Sequence, residues 1–66
     1  MGTMTTTTAT TRDGARYTFA PDFSTVSVDG EDRELLAKPT VHLGFKMLLV
    51  FRDGGTKVTD NVAALA

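Results

Sequence analysis

Residues 40–55, TVHLGFKMLLVFRDGG, alternate so regularly that they fix two faces at once. Side chains on a strand point to opposite sides in turn, so Val41, Leu43, Phe45, Met47, Leu49 and Phe51 fall together, and all six are apolar. The other side carries His42, Gly44, Lys46, Leu48, Val50 and Arg52, polar at its ends and aliphatic at its centre. An antiparallel strand normally leaves one side to water, whereas a strand with apolar groups on both needs a second layer. Leu48 and Val50 are therefore the residues to be explained.

A chain of 66 residues has little with which to build that layer. Folding at this size buries only about 60% of the surface of the unfolded chain, so a single domain of this length is marginal. Disulfides or thiolate metal sites would help, but there is no cysteine. The one histidine, His42, has no second His or Cys with which to share a structural zinc. Stability has to come from packing or association. The outer aliphatic pair can be covered by Leu35-Leu36, by the C-terminal Val62, Ala63, Ala64 and Leu65, by a second copy of the chain, or by a small ligand.

The rest of the chain reads as turns between short strands, an all-β antiparallel sheet or barrel of about five strands. Residues 15–20 alternate Tyr17 and Phe19 against Arg16 and Thr18, and Pro21 ends that strand. Asp29-Gly30 marks a hairpin between residues 23–28 and 33–37. A four-residue loop, 29–32, sets Val28 against Arg33 and Val26 against Leu35, grouping the apolar side chains, and is preferred to a two-residue loop that would set Val26 against Arg33. Helix is the competing expectation for residues 31–38. A Gly54-Gly55 turn places Phe51 across from Val58 and begins a short return strand, 56–60. The tail reads as a helical turn capped by Asp60 or Asn61, or as a frayed end. The expected core is the odd face of residues 41–51 with Tyr17, Phe19, Val26, Val28, Leu35 and Val58.

Residues 1–11, nearly all Thr, are expected to be a disordered arm, because ordering a backbone costs about 1–2 kcal/mol per residue and Thr recovers little without a surface to meet. Residues 1–3 ahead of Met4 read as a cloning remnant. The alternative is an extended arm that orders on a neighbouring subunit. Residues 12–66 form one small β domain. Residues 26–35, VSVDGEDREL, are similar to the opening hairpin of β-grasp sulfur-carrier proteins, but the Gly-Gly their chemistry requires is not at the end of this sequence, and no role is carried over from them.

Enzymatic chemistry finds no support. His42 has no acid, base or nucleophile at a recognisable spacing to orient it. The acids Asp29, Glu31, Asp32 and Glu34 lack the ligand spacing of a calcium loop, and RDGGTK lacks the remainder of a phosphate loop. No cofactor is expected. The apolar run 47–51 is far below the roughly 20 residues of a membrane helix, no signal peptide is evident, and a membrane is not an expected partner. The expected location is cytoplasmic, or inside a virion.

These features point to a non-catalytic interaction or structural module, of the kind a phage or bacterium uses as an accessory protein. Its expected association surface, toward a second copy or another protein, is Lys46, Leu48, Val50 and Arg52. The alternative function is nucleic-acid binding through Lys38, His42, Lys46 and Arg52, which share parity on the outer face. A formal net charge of −1 and the placement of Phe45 and Phe51 on the core side make it the weaker of the two.

Overall fold

A computed structural model describes residues 5–66 as six antiparallel strands in one curled sheet, a half-barrel with no helix among the described residues. The strands are β1 (Thr7–Thr11), β2 (Arg16–Phe19), β3 (Thr25–Val28), β4 (Glu31–Glu34), β5 (Lys46–Val50) and β6 (Thr56–Leu65). Their order across the sheet is β4-β3-β2-β1-β6-β5. The two edges meet at one end, where Leu35 bridges Phe51. There the Leu36 N–H donates to the Val50 carbonyl (2.8 Å) and the Arg52 N–H to the Glu34 carbonyl (3.1 Å).

The Thr-rich segment is the largest correction. Thr7–Thr11 is not a disordered arm but an interior strand, hydrogen-bonded to β2 on one side and to β6 on the other. Ala9 and Thr11 face the core and are almost wholly buried. Local composition offered no anchor for this segment; the anchor comes from its neighbours in the sheet, since β1 lies between β2 and the C-terminal strand β6. The expectation for residues 1–3 lies outside the described residues.

The C-terminal tail is likewise strand and not helical turn. β6 runs to Leu65 and faces the core with Thr59 and Val62, three residues apart where a regular strand would give two. A register shift between Lys46 and Leu48 of β5 against Asn61 and Val58 of β6 marks the bulge that resets the pleat. A second shift lies opposite Thr10 and Thr11. Such bulges increase twist, which helps a six-stranded sheet to curl around a small core.

Turn chemistry corrects the two registers. Asp29 (φ 51°) and Gly30 (φ 85°) are both left-handed, as in a type I′ two-residue turn whose twist matches that of the strands. Val28 therefore lies opposite Glu31 and Val26 opposite Arg33, and the four-residue loop is not formed. An arginine fits there because its guanidinium stacks over Phe51, 3.6 Å from the ring centroid, and ends on Asp53 at 2.7 Å. The β5–β6 turn spans Arg52, Asp53 and Gly54, with the Phe51 N–H bonded to the Gly55 carbonyl. Val58 consequently pairs with Leu48 on the outer face and not with Phe51.

The core holds Ala9, Tyr17, Phe19, Val26, Leu35, Met47, Leu49, Phe51 and Val62, with Val28 and Val41 packed against it. Leu43, Phe45 and Val58, expected there, are exposed. The long strand is shorter than its alternation implied. Gly44 (φ 84°) turns the chain between His42 and Phe45, so parity before Lys46 carries no information about faces.

Candidate association surface

Leu48 projects from the outer face of β5 directly opposite Val58 of β6, and both stand more than half exposed, at 54% and 64%. Val50, half-buried, lies two residues along on the same side. The bridge between the sheet edges adds a fourth member. Leu35 and Phe51 are both buried at the bridge, so their neighbours Leu36 and Val50, joined by a backbone hydrogen bond, turn outward together. Leu36 is 61% exposed.

Of the segments that could cover Leu48 and Val50, neither does so. The Leu35-Leu36 segment extends the aliphatic face, and the C-terminal tail joins the sheet edge-on with Val62 in the core. Sequence reasoning missed Leu36 and Val58 as members of this face. The signal for Val58 lay in the Arg-Asp-Gly turn, whose left-handed third residue implies a three-residue loop and moves the partner of Val58 from Phe51 to Leu48.

Charged groups border the face. Lys46, opposite Asn61, stands at one end, and Arg52, in the turn, at the other. The remaining outer face is of different character: β1, β2 and β3 present Thr8, Thr10, Arg16, Thr18, Thr25 and Ser27, with the Thr8 and Thr18 hydroxyls 3.4 Å apart.

Lys38, His42, Lys46 and Arg52 do not form the single stripe their parity implied. Lys38 and His42 line an open groove of about 410 Å³ with Phe23, Pro39, Thr40 and Val41. Arg52 sits at the far end of β5, in a groove with Glu31, Asp32, Glu34 and Asp53. Lys46 adjoins the Gly44 turn. The stripe is divided because only residues 46–50 are strand.

Three carboxylates are held below the usual carboxylate range, each by the turn it closes. Asp13 accepts from the Thr11 hydroxyl and the Ala15 N–H. Asp22 accepts from the hydroxyl and N–H of Ser24. Asp53 accepts first from the Gly55 N–H and then from Arg33. These groups brace hairpins. His42 is exposed, with its ring edge-on to Phe45 at 6.5 Å. Among the described residues there is no cluster of His, Asp and Glu able to hold a metal ion, and no helix long and apolar enough to cross a membrane.

No family model matches this chain, and neither the curated proteins nor the solved structures contain a significant match to it.

Proposed function

We propose that the protein is a non-catalytic structural module that assembles with copies of itself through the aliphatic outer face of β5, β6 and the segment at Leu36. The observation that carries this reading is the gathering of exposed Leu36, Leu48 and Val58 with half-buried Val50 on one outer face. Full burial of such side chains is worth about 1.5–3 kcal/mol each, a large return for a domain this small. Scattered exposed apolar residues are ordinary, whereas a contiguous group with a charged border marks an interaction site. Lys46 and Arg52 can stay hydrated at the border while the centre is desolvated. A two-fold pair is the simplest assembly, since one patch then serves both partners. An accessory protein of a phage or bacterium, cytoplasmic or carried in a virion, fits a module of this kind.

Light scattering over a range of concentrations tests it. The wild-type chain should run as a dimer or larger species. Leu48→Lys and Val50→Glu should give folded monomers, and Ser27→Ala, on the hydroxyl-bearing half of the outer face, should assemble normally. A wild-type chain that remains a folded 7.1 kDa monomer at every concentration overturns the proposal.

A further inference from the structure

Phe45 is the most exposed large apolar side chain among the described residues, at 67%, and it is held in place rather than left on a loose loop. The Gly44 N–H donates to the Val62 carbonyl (2.8 Å), the Val62 N–H to the Phe45 carbonyl (2.9 Å), and the Asn61 side-chain amide to the Gly44 carbonyl (3.0 Å). The turn is thereby fastened to β6. With two thirds of its surface open, Phe45 is accessible to a ligand.

Lysines flank it in the sequence and at the neighbouring groove. Lys46 follows it in the chain, and the His42 ring meets it edge-on. His42 shares its groove with Lys38, whose ammonium lies 4.9 Å from the centroid of Phe23. Phe23 itself has a left-handed backbone (φ 59°), which a bulky residue adopts at a cost, and its ring stacks on Phe19 at 5.3 Å. Between Glu34 and Asp53 the sequence has no acidic residue. On the neighbouring segments, Asp22 is bonded to Ser24 and Asp60 to the Asn61 N–H. Four of the eight acids, Asp29, Glu31, Asp32 and Glu34, lie in and after the β3–β4 turn. The net charge of −1 thus averages an acidic β3–β4 hairpin with an acid-free stretch of opposite sign.

We infer that Phe45, with Lys46 next to it in the chain, His42 against its ring and Lys38 in the groove that His42 lines, is a binding site for single-stranded nucleic acid, which shares only the border residue Lys46 with the association surface. A base stacks on the Phe45 ring, a contact open to any base, and the two lysines take neighbouring phosphates. Sequence parity had placed Phe45 on the core side and so removed the stacking platform; its actual exposure restores it. One ring and two lysines make a short, weak, sequence-tolerant site, which copies joined through the outer face would multiply. An anionic membrane surface would also attract cations beside an apolar residue, but it has no use for a single fixed ring over an extended apolar face.

The test is fluorescence anisotropy of the full chain with a labelled oligothymidylate of about 12 nucleotides at low and moderate salt. Binding should weaken with salt, with log K falling against log [salt] at a slope of about −1.4 for two phosphate contacts. Phe45→Ala should weaken binding by about 5-fold to 100-fold. Lys46→Ala should reduce the slope by about 0.7, and Arg12→Ala, in the β1–β2 turn, should change neither. Circular dichroism establishes that the variants are folded. The inference is overturned by absence of binding at low salt, by an unchanged affinity in folded Phe45→Ala, by equal affinity for duplex DNA, or by binding to phosphatidylserine vesicles without binding to the oligonucleotide. Leu48→Lys, which dissociates the assembly, separates the two proposals: the monomer should still bind the oligonucleotide, with reduced avidity.

Discussion

Thr59 is a polar residue in the core, and its hydroxyl is what lets β6 bulge against β5. The bulge takes the Met47 N–H away from its normal carbonyl partner, and Thr59 Oγ1 accepts that hydrogen at 3.0 Å while donating to the Asp60 carbonyl at 2.8 Å. A buried donor without a partner costs about 1–3 kcal/mol. Thr59→Val keeps the shape and removes the acceptor, so it should destabilise by about that amount in urea unfolding, whereas Thr59→Ser keeps the hydroxyl and should lose about 1 kcal/mol for one methyl group. If Val is tolerated as well as Ser, the Met47 N–H has another partner. Gly30 presents the complementary case, in which backbone conformation alone sets the cost. A Cβ added there meets nothing within 4 Å, yet φ is +85°, so Gly30→Ala should cost about 1–2 kcal/mol through strain of the left-handed turn and not through a clash.

At the scale of elements, β1 separates what local pattern can reveal from what it cannot. Alternation over residues 16–19 and 46–50 identified β2 and β5, and with them Tyr17, Phe19, Met47, Leu49 and Phe51 as core, because each of those segments buries one face and says so in its own residues. A run of threonines says nothing of the kind. Its order is supplied by the backbone bonds of β2 and β6, and the only apolar group it contributes is Ala9, fully buried. The outer aliphatic face was half legible for the same reason: Leu48 and Val50 belong to one strand, whereas Leu36 and Val58 reach it through a bridge and a hairpin register that no single segment encodes. Deleting residues 1–11 should therefore unfold the sheet, where loss of a disordered arm would leave it intact. Ala9→Leu should cost about 1–3 kcal/mol by overpacking. Circular dichroism and proteolysis of the two variants check both outcomes, and a truncated chain with native stability would mean that β6 can pair directly with β2.

Over the whole molecule, the sheet is a row of hairpins whose two edges are brought together at Leu35 and Phe51, and carboxylates hold three of the turns. Asp13 and Asp53 occupy equivalent positions in Arg-Asp-Gly turns with left-handed glycines, Gly14 (φ 89°) and Gly54 (φ 94°), and Asp22 closes the β2–β3 turn. Asp53 also anchors Arg33, which ties the turn between β5 and β6 to β4 at the other edge of the sheet. All three carboxyls have lowered pKa values in the folded protein, so the folded state binds their protons less readily than the unfolded chain does. The sign follows: their contribution is complete above the unfolded value near 3.9 and is lost as the pH drops below about 4 through the lower folded-state values. The groups are exposed and the Arg33–Asp53 pair is open to solvent, so each contribution is small and screened by salt. Their sum should appear as a urea midpoint that is level between about pH 7 and pH 5 and declines toward pH 3. The triple variant Asp13→Asn, Asp22→Asn, Asp53→Asn should be less stable than wild type at neutral pH and should lose less on acidification, so that the two midpoints converge near pH 3. Parallel decline of the two proteins would place the acid sensitivity in other carboxyls and leave the turns to their glycines alone.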